Sequence, residues 1–355
     1  MKASELPVLK VEYLMTRRCQ FGCSYCKITD SSNCGPEMST EDMLRMIDNI
    51  SEWWPGAPII FFGGEPTMRD DLPDAIRRCS SLGVKHAVIS NSKRVLEDEV
   101  YTENLISSGL SNWSTSYDGD SLEIAADKFS LMKSSLGFDA LKMFRDKYGI
   151  RDLVSCITVT KRNIDDLPRI IEKLTKEGIW SICTPLQTPD PLWRYRYSSG
   201  SRKDLPSQEQ IEHVSSILIL MARSGNYLMH NAPEWFEVWP SAFRDQTWKC
   251  NKKSGLTVDA DGRLLKCVDI CLYNSIHVND LNLESVVDDY YNNLNMKHTC
   301  CGCLWDPAYE TVLRSNTMSV DEGRKTFRHE LTEQQISNLI PEAQKWMRNL
   351  QDQKL

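Results

Sequence analysis

Three cysteines within eight residues are the feature that most constrains this chain. Cys19, Cys23 and Cys26 follow the spacing C-x3-C-x2-C. Thiolates this close together in a short loop can converge on one soft metal centre, whereas three thiols cannot all pair into disulfides with one another. A structural zinc site takes four protein ligands. A three-thiolate site therefore favours an iron–sulfur cluster with one iron open to a substrate or cofactor.

The cysteine loop follows the first of six predicted strands, and helical segments separate the strands that come after it. The predicted strands are 8–15, 58–62, 85–90, 113–119, 153–160 and 179–183, and the predicted helices are 39–54, 70–82, 95–108, 131–147 and 163–177. Strands separated by helices of this length indicate parallel β-α-β units. A metal loop at the carboxyl end of the first strand occupies the position where a barrel keeps its active site.

Polar residues also follow the other predicted strands. The second strand ends in Gly63-Gly64-Glu65-Pro66, where two glycines let the backbone approach a ligand closely and a simple tight turn is the alternative. The later strands end in Asn91 and Ser92, in Ser116 and Asp118, and in Thr160 and Lys161. The carboxyl ends of parallel strands in a barrel surround one opening, so these residues are candidates for a shared ligand site. The alternative is a structural role, because turns and helix caps favour the same residue types.

Composition excludes several classes of function. The chain has 355 residues, enough for one large domain or two smaller ones, and a net charge of -7, which disfavours a nucleic-acid backbone binder. It shows no apolar run of membrane-spanning length and no signal peptide, so the prediction is a cytoplasmic protein without a membrane or nucleic-acid partner. Thirteen cysteines in such a chain indicate metal binding rather than disulfides.

A second group of cysteines lies near the carboxyl terminus. Its members are Cys250, Cys267, Cys271, Cys300, Cys301 and Cys303. Residues 257–267 predict a β-hairpin that turns at Asp-Gly and brings Cys250 close to Cys267. The spacing favours Cys250, Cys267, Cys300 and Cys303 as the four metal ligands, and Cys271 and Cys301 are alternative ligands. A zinc ribbon, which uses the same ligand set, is the alternative to a cluster.

Three further segments complete the predicted architecture. The long irregular stretch 184–206 follows the sixth strand, and we interpret it as a substrate lid whose Arg194 and Arg196 grip a carboxylate or phosphate; the alternative is a surface loop anchored by Trp193. A predicted helix at 207–224 ends the barrel, and one at 332–350 packs against it.

The first cysteine segment, with Tyr25 as its aromatic residue, resembles the C-x3-C-x-aromatic-C loop of the radical S-adenosylmethionine (radical SAM) superfamily. The resemblance implies that Cys19, Cys23 and Cys26 hold a [4Fe–4S] cluster whose open iron chelates SAM. Reductive cleavage of SAM would give a 5′-deoxyadenosyl radical that takes a hydrogen atom from substrate carbon. The implied SAM-binding residues are Tyr25, Gly63, Gly64, Glu65, Pro66, Asn91, Ser116 and Asp118.

The second cysteine group resembles the Twitch form of the SPASM extension, which carries one auxiliary [4Fe–4S] cluster. No cysteine follows 303, so we expect two clusters in all. The resemblance implies an α/β fold, a partial (β/α)6 TIM-like barrel followed by a small Twitch/SPASM-like domain of a β-hairpin plus a helix. The predicted domains are 1–225, 226–310 and a carboxyl-terminal linker and helix at 311–355. Cys271 and Cys301, if they are not ligands, are candidate hydrogen donors or buried thiols without a role.

The leading hypothesis is a radical SAM enzyme whose auxiliary cluster assists oxidation, bond formation or epimerisation of a small metabolite. The first strand begins by about residue 8, which leaves no room for a leader-binding domain and favours a small substrate. The alternatives are a peptide maturase or epimerase with a separate leader-binding partner, and a non-enzymatic iron–sulfur electron-transfer protein. The expected electron donor is of the flavodoxin or ferredoxin type.

Metal analysis tests the two-cluster prediction. Protein reconstituted under anaerobic conditions should contain about eight iron atoms per chain with matching sulfide, because each cubane cluster holds four. Zinc bound by the second cysteine group would contradict the prediction of an auxiliary cluster.

Overall fold

A computed structural model describes residues 2–28, 36–186, 202–245, 255–265, 273–288 and 331–352. In these ranges nine strands form one sheet. They are β1 (Lys10–Thr16), β2 (Ile59–Gly63), β3 (His86–Ile89), β4 (Asn112–Ser116), β5 (Asp152–Val159), β6 (Trp180–Pro185), β7 (Gly255–Val258), β8 (Arg263–Leu265) and β9 (Tyr273–His277). The strand order is β6-β5-β4-β3-β2-β1-β7-β8-β9.

Helices connect the strands and cover the sheet. The described helices are α1 (Thr40–Trp53), α2 (Leu72–Ser81), α3 (Lys93–Glu97), α4 (Glu99–Ser107), α5 (Lys128–Asp146), α6 (Leu167–Lys176), α7 (Gln208–Ser224), α8 (Pro233–Asp245), α9 (Glu333–Asn338) and α10 (Pro341–Asp352). None of these helices is both long enough and apolar enough to cross a membrane.

The strands from β1 to β6 pair in parallel, which confirms the predicted α/β barrel-like fold. The predicted hairpin is also present, since β7 and β8 pair antiparallel across a turn at Asp261 and Gly262. It does not stand apart from the barrel, because β7 pairs in parallel with β1 from Lys10 to Tyr13. The boundary at 225/226 stays a prediction, but the sheet itself continues from one predicted domain into the next.

Local sequence signals explain where several helices begin. Ser39 caps α1 by accepting a hydrogen bond from the Asp42 N–H, and Ser207 forms a reciprocal capping box with Gln210 at α7, as such residues do at helix starts. Asp127 caps α5, so this helix begins at Lys128 rather than at the predicted 131.

Two predicted helices are each divided in the structure. The segment 95–108 contains α3 and α4, because Asp98 accepts from the Tyr101 N–H and starts a new helix. The segment 332–350 contains α9 and α10, and Pro341 opens the second, a position that proline tolerates. In this region the Trp346 indole of α10 donates to the Lys176 carbonyl at the end of α6 at 3.0 Å.

Helix α5 lies unusually close to β4, and glycine makes this possible. A Cβ atom at Gly137 would lie 2.5 Å from Thr115 Oγ1 and 2.9 Å from the Ser116 carbonyl oxygen. Both contacts are shorter than ordinary packing allows, so a side chain here must displace the strand or the helix. The close approach places the residues of α5 directly beside the carboxyl end of β4.

We predict that Gly137→Ala destabilises the fold. Alanine usually favours a helix over glycine by about 1 kcal/mol, but overpacking costs about 1–3 kcal/mol, so we expect a net loss. Chemical denaturation should show a lower free energy of unfolding, whereas Ser135→Ala, on the exposed side of α5, should change it by less than about 0.5 kcal/mol. Equal stability of the two variants would contradict this packing argument.

Candidate active site

The three cysteines of the first motif lie in residues 17–28, here called the cluster loop, which follows the carboxyl end of β1. Cys19, Cys23 and Cys26 are all unpaired and partly exposed. The Cys26 N–H donates to the Cys23 carbonyl at 3.0 Å, and the Phe21 N–H donates to Cys19 Sγ at 3.4 Å. These bonds curl the backbone tightly around the thiols.

The donor set fits an iron–sulfur cluster. Within the described ranges, no three His, Cys, Asp or Glu side chains are arranged to share one metal ion, but a cubane cluster binds each thiolate on a different iron. Burial raises the pKa of Cys19 and of Cys26 to about 11, and burial also raises the pKa of Cys23. The metal-free thiols are therefore protonated at neutral pH, and cluster binding must release their protons.

The turn that joins β2 to the next helix rests on the start of the cluster loop. The Gly64 N–H donates to the Thr16 carbonyl and the Glu65 N–H to the Arg18 carbonyl, both at 2.8 Å. A Cβ on Gly63 would overlap the Thr16 carbonyl oxygen, and one on Gly64 would overlap the Arg18 carbonyl oxygen. The two glycines are thus required for close backbone contact within the protein, whatever they contribute to a ligand.

Glu65 is fully buried and ties this turn to the end of β3. Its Oε1 accepts from the Thr67 N–H at 3.0 Å, the Thr67 hydroxyl at 2.7 Å and the Ser90 hydroxyl at 2.7 Å. Its Oε2 accepts from the Asn91 N–H at 2.6 Å. Burial raises the pKa of Glu65 and the four donors oppose that rise. Because every partner is a donor, the ionised form matches this pocket.

The end of β3 meets the cluster loop through Asn91. Its Nδ2 lies 3.8 Å from Cys19 Sγ, and its Oδ1 accepts from Gln20 Nε2 at 3.2 Å. The next residue, Ser92, adopts a left-handed backbone with φ of 65°, which residues other than glycine, asparagine and aspartate rarely adopt. The Trp113 indole donates to the Ser92 hydroxyl at 3.0 Å and helps to hold it there.

Asp118 follows β4 and holds the aromatic residue of the cysteine motif. The Tyr25 hydroxyl donates to Asp118 Oδ2 at 3.1 Å and accepts from Lys133 Nζ at 2.5 Å. Asp118 Oδ1 accepts from the Thr158 N–H of β5 at 2.7 Å. The carboxylate is nearly inaccessible to solvent, and the structure commits it to these protein partners.

The first turn of α5 holds the cluster loop at a second point. Asp127 Oδ1 accepts from the N–H groups of Phe129 and Ser130 as a helix cap, while its Oδ2 accepts from the Ser24 N–H at 2.7 Å. The rings of Phe21 and Phe129 pack with their centroids 6.2 Å apart. One helix start therefore anchors both the backbone and a side chain of the loop.

The β7–β8 hairpin contacts the cluster loop from the other side. Arg17 and Asp259 form a buried ion pair with side chains 6% and 3% exposed. The Met38 N–H donates to the Ala260 carbonyl at 2.6 Å. The hairpin predicted to carry Cys250 and Cys267 is thus joined to the loop that carries the first three cysteines.

Comparison with known proteins agrees with this geometry. The sequence profile of the radical SAM superfamily matches residues 13–174, which include part of β1, the cysteine motif, the Gly-Gly-Glu-Pro turn and β2 to β5. Residues 13–174 therefore form a radical SAM region. SAM and one [4Fe–4S] cluster are the cofactors of that family, and the three partly exposed thiols at the end of β1 are where this region would hold such a cluster.

Two relatives and one solved structure illustrate the similarity. The chain is 35% identical over 223 residues to the Fe-coproporphyrin III synthase of Methanosarcina barkeri, covering 59% of this chain and 50% of that protein. It is 29% identical over 201 residues to the PqqA peptide cyclase of Granulibacter bethesdensis, covering 56% and 51% respectively. The chain spans about half the length of the curated relatives it matches.

The structural comparison supports the fold. SuiB of Streptococcus suis, crystallised with S-adenosylmethionine, superposes with a TM-score of 0.62 at 14% identity over 88% of this chain and 75% of SuiB. This likeness shows a shared fold. It does not by itself carry SuiB's ligands over to this chain.

The structure brings together most of the residues predicted for the SAM site. Tyr25, the turn 63–66, Asn91, Ser116 and Asp118 all lie at the carboxyl ends of β1 to β4, and their SAM contacts stay predictions. The other predicted site residues lie outside the described ranges. They are Arg194, Arg196, Cys250, Cys267, Cys271, Cys300, Cys301 and Cys303.

Sequence reasoning missed the residues that support the cluster loop from a distance. Lys133, Asp127 and Asp259 carry no motif, and they meet the loop across 103 to 242 residues of chain. Of these three residues, only Asp127 could have been identified from the sequence, because aspartate before an amphipathic segment is a common helix cap.

We predict that Glu65→Gln destabilises the turn between β2 and β3. Glutamine presents an amide N–H₂ where the carboxylate accepted four hydrogen bonds, so at least one buried donor loses its partner, at a cost of about 1–3 kcal/mol. Chemical denaturation should show this loss, while Glu103→Gln on the exposed face of α4 should leave stability nearly unchanged. Identical unfolding curves for the two variants would refute the assigned role of the Glu65 carboxylate.

Proposed function

We propose that this protein is an enzyme that cleaves SAM reductively and abstracts a hydrogen atom from a substrate carbon. The observation that carries the proposal is the cluster loop: three unpaired thiols at the carboxyl end of β1, with the Gly-Gly-Glu-Pro turn hydrogen-bonded to the residues that lead into them. A site of three thiolates leaves one iron without a protein ligand, and SAM can chelate that iron.

The proposed roles follow from position. Cys19, Cys23 and Cys26 would bind the cluster, which when bound supplies the electron that splits SAM into methionine and a 5′-deoxyadenosyl radical. The backbone of the turn 63–66 would bind the amino group of SAM, and Ser116 would lie near its ribose. The protein's own task is to fix these groups and to keep water from the radical.

Tyr25 and Asp118 would act on SAM mainly through the cluster loop. The Tyr25 hydroxyl and the Asp118 carboxylate are bonded to each other and to Lys133, so neither polar group points freely at a ligand. The Tyr25 ring and backbone remain the parts of this residue that we propose for contact with SAM.

We also propose an auxiliary [4Fe–4S] cluster after the barrel. Cys250, Cys267, Cys300 and Cys303 are the proposed ligands, with Cys271 and Cys301 as replacements for ligands or as hydrogen donors. Support comes from the β7–β8 hairpin, which separates Cys250 from Cys267 in sequence and is joined to the cluster loop by the Arg17–Asp259 ion pair. A cluster held by this hairpin would lie near the SAM site.

A small molecule is the proposed substrate. The relative with 35% identity described above is a synthase of Fe-coproporphyrin III, which is a small-molecule product. Arg194 and Arg196 are the proposed contacts for a carboxylate or phosphate on such a substrate. The radical formed would then be oxidised by the auxiliary cluster, coupled to another atom or quenched by a thiol, with an electron donor of the flavodoxin or ferredoxin type.

A peptide substrate is the second candidate. It is favoured by the similarity to the PqqA peptide cyclase over 201 residues. In that case a separate leader-binding partner would present the peptide. A non-enzymatic electron-transfer protein is the third interpretation, and it predicts that SAM does not bind.

We predict that anaerobically reconstituted protein, reduced with dithionite and given SAM, forms 5′-deoxyadenosine and methionine. Cys23→Ala should lose this activity, because it removes one of the three cluster ligands. Cys79→Ala is the matched control, since Cys79 is buried in α2 outside the cluster loop, and it should retain the activity. A failure of the iron-loaded wild type to bind SAM would favour the electron-transfer interpretation.

Isotope transfer would then identify the substrate class. Candidate small molecules and candidate peptides carrying deuterium at carbon are incubated with enzyme and SAM. Deuterium in 5′-deoxyadenosine marks the true substrate, because the radical takes that atom directly. Transfer from a peptide and not from any small molecule would overturn the small-molecule proposal.

A further inference from the structure

A buried lysine from α5 reaches the cluster loop. The Lys133 side chain is 12% exposed, and its ammonium lies 3.6 Å from Asp118 Oδ2 and 2.5 Å from the Tyr25 hydroxyl. It also lies 5.1 Å from the centroid of the Tyr25 ring. Burial opposes the charged form, but Asp118 and Tyr25 outweigh it and hold the pKa of Lys133 well above its usual range. The ammonium is therefore a fixed positive charge.

The surroundings fix this ammonium in place. Asp118 is bonded to two structural elements. Its Oδ1 accepts from the Thr158 N–H of β5, its Oδ2 accepts from the Ser130 hydroxyl of α5 at 2.7 Å, and its own N–H donates to Ser134 Oγ of α5 at 2.8 Å. The absence of a side chain at Gly137 lets α5 lie directly against β4, which brings Lys133 of this helix up to the end of the strand. Lys133 thus has one well-defined position against Tyr25.

The charge of Lys133 acts on a thiol of the cysteine motif. Tyr25 stands between Cys23 and Cys26, and the charge of Lys133 lowers the pKa of the Cys23 thiol while Asp127 and Asp118 raise it. Among the described groups that act on Cys23, Lys133 is thus the positive one and the two aspartates are the negative ones. Arg17, Arg18 and Asp127 also form charged contacts in or with this loop.

We propose that Lys133 is a positioning residue that clamps Tyr25 of the cluster loop and raises the reduction potential of the cluster bound there. The inference rests on the proposed [4Fe–4S] cluster. Reduction adds a negative charge to the cluster, and a buried positive charge nearby stabilises that charge with little screening by solvent. Charge and hydrogen bonding around the thiolates are among the factors that set the potential of iron–sulfur clusters.

The sign of the effect distinguishes this role from a purely structural one. Removal of Lys133 takes away a stabilising charge and leaves Asp118 unbalanced, so the cluster should become harder to reduce. Removal of Asp118 alone should make it easier to reduce. A residue that only fills space would give no such opposite pair of shifts.

The experiment is an anaerobic redox titration followed by electron paramagnetic resonance on the reconstituted full-length protein. The signal of the cluster loop is the one that Cys23→Ala lacks. Lys133→Met should shift its midpoint to a more negative potential by at least the equivalent of a tenfold change in the reduction equilibrium, about 59 mV for one electron. Lys142→Met, which removes the same charge from the same helix away from the loop, is the matched control and should leave the midpoint unchanged.

A second comparison covers the case in which Lys133→Met does not retain its cluster. The double variant Lys133→Met/Asp118→Asn removes both charges and leaves no buried charge unpaired, and it is compared with Asp118→Asn alone. The double variant should have the more negative midpoint. Equal midpoints in this pair, or a Lys133→Met midpoint equal to that of Lys142→Met, would overturn the inference.

The result also separates this inference from the proposed function. Wild-type protein that cleaves SAM while Lys133→Met keeps an unshifted midpoint overturns the role of Lys133 alone. Protein that assembles no reducible cluster on the first cysteine motif overturns the proposed function and this inference together.

Discussion

Parallel pairing of β1 to β6 is the constraint on which the site depends. It turns the carboxyl ends of the strands toward one edge of the sheet, so segments far apart in sequence become neighbours. The cluster loop, the Gly-Gly-Glu-Pro turn, Asn91 and Asp118 follow four different strands and meet there. Glu65 and Asn91 then bond these strand ends to one another, which makes the edge of the sheet a rigid support rather than a set of separate loops.

Buried charge fixes the cluster loop from two sides. Arg17 pairs with Asp259 of the β7–β8 hairpin, and Lys133 with Asp118 next to Tyr25. Buried ion pairs contribute little net stability, because removing both charges from water costs free energy, but breaking one is costly. The cluster loop has twelve residues and must hold three thiols, and we interpret these ion pairs as fixing its geometry and its local electrostatic potential.

The sequence predicted the features that depend on neighbouring residues. The cysteine spacing, the helix caps at Ser39 and Ser207 and the Asp-Gly hairpin are local, and all appear in the structure. What it did not predict depends on long-range packing. The pairing of β7 with β1 and the contact of Lys133 with Tyr25 arise only once the sheet has formed. From the sequence, Gly63 and Gly64 are expected to let a ligand approach the backbone. The structure adds a second reason for them, because they permit close backbone contact within the chain.

The central claim is that three thiolates hold a cluster with one open iron. Electron paramagnetic resonance of the reduced protein, recorded before and after SAM carrying ¹⁵N in its amino group is added, tests it most directly. The account predicts that SAM changes the spectrum of the cluster that Cys23→Ala lacks, with a hyperfine coupling from the bound nitrogen. A fully reduced cluster whose spectrum SAM leaves unchanged would contradict it.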